Sequence, residues 1–296
     1  MQFDFFLKFP SMERENLRDL KKGIDLTFKD FSREYGASIE GFFSPLLKFL
    51  VWFEKFLITT PWPIIIFLLS FLAWLSSRNL KLSVGTAISF FIIGYFGMWK
   101  DTMSTMAIIS VATLICLLLG APIGILMARS ERLKNILSPV LDMMQTIPTF
   151  VYLIPIIMLL GIGKVPGLLA VCVYAIPPIV RLTNLGIREV DRRVVEAAKA
   201  LGIKKRVILF KIEIPLALPS IMTGVNQTIM MALAMVVIAS MIGVSGLGVP
   251  ILRSISNQFL ALGLMNGLAI VALAIIFDRI SQNYARRIQK HKEAKK

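Results

Sequence analysis

The sequence predicts an all-α membrane protein of about seven transmembrane helices, and three observations carry that prediction. Mean hydropathy is +0.74 and 56% of the residues are hydrophobic, too apolar for a water-soluble globule. Uncharged runs long enough to cross a bilayer recur along the chain, each close to the about 20 residues a span needs. The net charge of +15 sits in short stretches between those runs, as the positive-inside rule requires, so it does not signal nucleic-acid binding.

Residues 1–55 form an extramembrane segment with nine basic and nine acidic side chains. It opens "FDFFLKF", which fits either an interfacial amphipathic helix or a tail with anchoring aromatics. It has no basic region followed by a long apolar stretch, so it does not read as a cleavable signal peptide. Residues 56–99 hold two peripheral spans, 56–77 and 82–99, separated by Arg78 and Lys81. The core domain, 100–278, begins with an uncharged run at 102–128, followed by the basic loop "RSERLK" at 129–134. Residues 143–163 are uncharged, and 165–180 form a short span bounded by Lys164 and Arg181, which can snorkel.

The run 214–252 is uncharged for 39 residues, too long for one helix. Its cluster "GVSGLGVP", 243–250, ends the span and starts a short re-entrant or surface element, making Gly243, Gly246 and Gly248 candidate hinge positions. Residues 254–277 are the last span, and 279–296 form a basic tail. The basic stretches at 78–81, 129–134, 184–215 and the tail assign those connections to the cytoplasm, which puts the N-terminus outside and the C-terminus inside.

Between two apolar runs lies a charged segment, 186–215. Ile187, Val190, Val194, Ala198 and Leu201 recur at helical spacing and predict one amphipathic helix stopped at Gly202. Ile203, Val207, Phe210 and Ile214 predict a second helix, closed by Pro215. On pattern alone this is either a solvated connector packed on its own membrane domain or a docking element. Glu196 would cap a helix end or meet a basic residue on a partner.

The order Glu196-Ala197-Ala198, Gly202, then Ile212-Glu213-Ile214-Pro215 resembles the EAA loop of ABC importer permeases, with Ile214 where that family has leucine. The stretches "LDMMQTIPTFVYLIP", "VPGLLAVCVYAIPPIVRLTNLGIREV" and "GVNQTIMMALAMVVIASMIGVSGLG" resemble permeases for glycine betaine, proline betaine and related osmolytes. The resemblance implies a type I importer permease fold in a bacterial inner membrane, with cytoplasmic coupling helices. It implies that Glu196, Ala197, Ala198, Gly202, Ile212 and Pro215 engage the ATPase. It implies partners too: two copies of an ABC ATPase carrying ATP and Mg, an external substrate-binding protein and a second copy of this chain, all in membrane lipid. Substrates consistent with it include choline, carnitine and trimethylamine N-oxide.

Several polar and aromatic residues fall inside predicted spans. Gln145, Thr146, Asn226 and Gln227 either bond helices together or line a transport path. Asn226 and Gln227 are adjacent and point about 100° apart, so both cannot line it. Pro148, with Pro155, Pro177 and Pro178, favours kinks. Met230, Met231, Met235 and Met241 suit core packing or a gate that repacks. Phe150, Tyr152 and Tyr174 offer rings to a quaternary ammonium.

The sequence also excludes chemistry. Cys116 and Cys172 lie in apolar runs, and the single histidine, His291, is in the tail, which leaves no metal site. "GIGKV", 161–165, lacks the first glycine and the Ser/Thr of a phosphate loop, so ATP hydrolysis is expected in a separate subunit and no cofactor in this chain. The alternative function is an autonomous secondary transporter or channel, which would need an ion-coupling site or repeated halves.

Overall fold

A computed structural model describes residues 11–293, with side chains through Tyr284. The opening "FDFFLKF" stretch and His291 therefore lie outside the described residues and side chains. All regular elements among the described residues are helical.

The first helix, α1, runs Arg14–Thr59 and crosses the boundary at residue 55 without a break. Thr60 is extended (ψ 135°) because the residue before a proline is driven out of the helical region. Pro61 then opens α2, Trp62–Ser77, at 107° to α1. α2 ends at Arg78, in the left-handed region, with its guanidinium 4.9 Å from the Trp74 ring centre. Asn79 accepts the Lys81 N–H and caps α3, Leu80–Tyr95. α4 follows over Trp99–Arg129.

Ser130 caps α5, Glu131–Thr146, by accepting the Leu133 N–H at 3.3 Å. Ile147 and Pro148 then break the chain, and α6, Thr149–Leu160, leaves at 98°. α7 runs Lys164–Arg188, α8 Arg192–Ala200 and α9 Lys205–Ile208. A π turn, Leu209–Glu213, leads into α10, Ile214–Ala239. After a 3-10 turn at Ser240–Ile242 come α11, Gly248–Asn257, and α12, Leu260–Glu293.

By length and composition four helices can cross a membrane: Trp99–Arg129, Lys164–Arg188, Lys205–Ile242 and Leu260–Tyr284. The number rises to six if the bent pairs α1–α2 and α5–α6 each make one span. Seven uncharged runs also counted α3, whose 16 residues rise about 24 Å, short of a hydrocarbon core of about 30 Å. An uncharged run measures residues, whereas crossing depends on axial rise. The run 143–163 has the residues but spends them on two axes.

α4, α7 and α10 form the centre of the bundle. Their backbones meet at glycines: a Cβ on Gly124 would lie 2.6 Å from the Val180 carbonyl oxygen, and one on Gly186 would lie 2.6 Å from Ser220 Cβ. Cys116 and Cys172 are both buried, with free thiols. No cluster of metal-ligating side chains occurs among the described residues.

Lys164 forms an ion pair with Glu54 of α1, whose other oxygen accepts the Ser104 hydroxyl at 2.9 Å. Glu54 is buried, and this pair fastens α1 to the start of α7 and to α4.

Candidate functional site: an exposed loop and a polar face

The charged segment is positioned by α7. That helix continues through Arg181 to Arg188, and Glu189 closes it by donating its N–H to the Leu185 carbonyl at 2.9 Å. Asp191 accepts the Arg193 N–H at 2.9 Å and caps α8, the role considered for Glu196. The expected single stripe is therefore split. Ile187 belongs to α7, and Ile187, Val190 and Ala198 are buried, while Val194 and Leu201 face out, Leu201 at 79% exposure.

Gly202 stops α8 as its sequence position predicts. Its φ is +71°, its N–H donates to the Lys199 carbonyl at 2.9 Å, and the Ile203 N–H donates to the Ala198 carbonyl at 3.2 Å. These two bonds make a Schellman cap. The second predicted helix is only one turn long before it widens into the π turn. Its buried anchor is Ile208, whereas Val207 and Phe210 are exposed, Phe210 at 56%. Four apolar side chains from the loop, Val194, Leu201, Val207 and Phe210, thus remain open beside exposed Glu196 and Ala197. Ile212 and Pro215 are half-buried at the entry to α10.

Two arginines tie this loop to the bundle, and the sequence reading did not single them out. Glu213, 6% exposed in the π turn, is ion-paired with Arg129 at the end of α4. Arg188 bonds Asn184 Oδ1 at 2.9 Å and the Met127 carbonyl at 2.7 Å, and pairs with Glu131. The available signal was one carboxylate inside the apolar "IEIP" stretch, where burial demands a partner. Arg129→Ala should strand Glu213 and destabilise the protein by about 1–3 kcal/mol. That is less than for a fully buried pair, because the Arg129 side chain is 38% exposed. Thermal unfolding in detergent measures it, and Glu213→Gln in the Arg129→Ala background should recover most of the loss.

The residues considered for a transport path separate. Gln145, Thr146, Pro148 and Phe150 surround the α5–α6 bend, all but Pro148 and Phe150 on α5, and all four are exposed. The Thr146 hydroxyl donates to the Asp142 carbonyl at 3.0 Å, and the Tyr152 hydroxyl spans the bend to the Met144 carbonyl. Tyr174 is half-buried on α7. Asn226 is turned to α12, where it donates to Asp278 Oδ1 at 2.7 Å, while its neighbour Gln227 is exposed. Gln227 shares an exposed stripe of α10 with Thr223 and Met230. Met235 is fully buried and Met241 exposed, so the methionines divide between core and surface.

Arg181, expected to bound a span, pairs with Asp142 of α5. The glycine cluster is packed rather than loose. Leu247 N–H donates to Thr105 Oγ1 at 2.9 Å, Thr105 donates to the Asp101 carbonyl at 2.8 Å, and Gly163 N–H donates to the Ile242 carbonyl at 2.9 Å. Gly246, at φ +134°, lets this backbone approach Thr105, and Gly243 is also left-handed. Gly248 is buried against Ser240 and Val237.

Residues 120–290 match the model of the family described as binding-protein-dependent transport system inner membrane component. The chain is 44% identical over 265 residues to the glycine betaine/proline betaine transport system permease protein ProW of Escherichia coli (strain K12), covering 90% of this chain and 73% of that one. It is 40% identical over 258 residues to the glycine betaine/carnitine transport permease protein GbuB of Listeria monocytogenes serotype 1/2a (strain 10403S), covering 85% and 92%. Its fold matches a chain of the MetNI methionine ABC transporter solved in inward-facing conformations, with a TM-score of 0.59 at 19% identity over 64% of this chain and 94% of that one. A family match over more than half the chain, relatives of this identity and a charged loop capped at Gly202 lead to one conclusion: the chain belongs to the binding-protein-dependent transport system inner membrane components, the permeases of ABC importers.

Proposed function

We propose that this chain is the permease subunit of an importer for glycine betaine, proline betaine or a related methylated amine, powered by ATP hydrolysis in a partner subunit. The observation that carries the coupling role is the loop surface, with Val194, Leu201, Val207 and Phe210 turned outward around a glycine-capped turn. Apolar side chains grouped on a charged loop fit a groove on a soluble protein better than they fit water. Relatives named for betaine and carnitine transport support the substrate class.

In this reading two copies of the chain each seat one coupling loop in one ATPase subunit, which binds ATP and Mg. An external binding protein delivers substrate. The loop faces the cytoplasm, and α1, at 107° to α2, rests its exposed apolar residues along a lipid interface. Gln227, Met230, Gln145 and Phe150 face the path, and Gly243, Gly246 and Gly248 anchor the segment that ends α10.

The test is ATP hydrolysis by the reconstituted complex with loaded binding protein, across glycine betaine, proline betaine, carnitine, choline and trimethylamine N-oxide. At least one should stimulate hydrolysis and accumulate in vesicles. Uptake by the permease alone, or stimulation by none of them, would overturn the reading.

A further inference from the structure

Arg181 and Asp142 pose a problem that the coupling loop does not explain. Arg181 lies in α7 about 25 Å from its start at Lys164 and about 10 Å short of Arg188 along the helix axis. The Arg181–Asp142 pair therefore sits one tier deeper in the bundle than the Arg188–Glu131 pair. Charges at such depth are costly against lipid and face a bundle interior or a watered cavity. Yet this pair is not enclosed by its own chain, since the side chains of Arg181 and Asp142 are 38% and 61% exposed. The pairing is also incomplete: one guanidinium NH2 meets one carboxylate oxygen, and Arg181 Nε is buried without an acceptor.

The surroundings of the pair suit a particular ligand. Tyr174 precedes Arg181 by seven residues and so shares its face of α7. Gln145 and Thr146 follow Asp142 by three and four residues and share its face of α5, with exposed Phe150 just past the bend. One carboxylate, one guanidinium and aromatic rings are complementary to a molecule carrying a carboxylate and a quaternary ammonium.

We propose that Arg181 and Asp142 are a charge-exchange site on the transport path, closed by their mutual ion pair and opened by a small zwitterion. The substrate carboxylate takes Asp142's place on Arg181, while its ammonium is held by Asp142 and the rings of Tyr174 and Phe150. Two opposite charges replace two opposite charges, so no unpaired charge is left at depth. A lone cation or anion would leave one partner uncompensated, which makes the pair a filter as well as a gate. No covalent step is involved.

This inference rests on the import reading above, so wild-type uptake of labelled glycine betaine by the reconstituted complex is measured first. Failure there counts against that reading, not this one. With wild-type uptake in hand, Arg181→Gln should lower betaine uptake about tenfold or more, and Arg181→Lys, which keeps the charge but not the fork, should lose less. Membrane abundance and ATPase co-purification report folding for each variant. The decisive variant is the doubly neutral Asp142→Asn/Arg181→Gln. If the pair only braces α5 against α7, removing both charges should restore uptake relative to Arg181→Gln alone. The exchange site predicts no restoration, because the anchor for the carboxylate is gone. Restored uptake in the double variant, or Arg181→Gln uptake within about twofold of wild type, would overturn the proposal.

Discussion

Gly202→Val and Glu196→Lys should each abolish ATP-driven uptake while leaving the protein in the membrane at normal abundance. At Gly202 the cause is backbone conformation alone. A Cβ there would meet nothing within 4 Å, but φ is +71°, and a non-glycine residue in the left-handed region costs roughly 1–2 kcal/mol, most for a β-branched one. Valine would break the two cap bonds and swing Ile203 and the π turn away from their seat. A graded series checks the cause: asparagine, which tolerates this region, should retain the most uptake, alanine less and valine least. At Glu196 the fold bears no strain, because the side chain is exposed and makes no hydrogen bond or ion pair within the described chain. Reversing its charge should act only on the docked partner. ATPase co-purification together with uptake distinguishes lost docking from lost coupling. Normal uptake by both variants would leave the loop a solvated connector.

Gly124→Leu should have the largest effect on folding. The Cβ alone would sit 2.6 Å from the Val180 carbonyl oxygen and 2.7 Å from Thr183 Cβ, so α4 and α7 must part. Overpacking costs typically about 1–3 kcal/mol, and here the obstacle is backbone, which cannot rotate aside. The variant should fall in membrane abundance and unfold at lower temperature in detergent. Gly124→Ala should show a smaller shift in the same direction. Gly85→Ala is the control, since a Cβ there in α3 meets nothing within 4 Å and alanine is the better helix former by about 1 kcal/mol. Equal melting of the Gly124 and Gly85 alanine variants would show that the α4–α7 contact yields easily.

Some of this architecture was legible because it depends on residues acting alone or with near neighbours. Uncharged runs named the span material, since the cost of placing a charge in lipid attaches to each residue. Gly202 marked a helix end because only glycine takes that backbone region cheaply. The adjacency of Asn226 and Gln227 predicted that they would divide, and they do, one bonded to Asp278 and the other exposed. The order of Glu196, Ala197, Ala198, Gly202 and Pro215 carried the family resemblance.

Other features had no local signature. Nothing in the run 143–163 says that Pro148 ends one axis and begins another at 98° rather than kinking a single span. Helical spacing grouped Ile187, Val190, Val194, Ala198 and Leu201, but whether an apolar residue is buried depends on what packs against it. Only the break at Val190 and the cap by Asp191 turn Val194 and Leu201 outward. Burial of Glu213 follows from Arg129, 84 residues away, and the pairing of Arg181 with Asp142 follows from the approach of α5 to α7. The sequence by itself determined which segments are membrane material, where α8 stops and which family the loop resembles, because those follow from single side chains and their immediate spacing. The tertiary structure alone decided which charges are paired and which apolar surfaces stay open, because each depends on a partner brought from elsewhere in the chain.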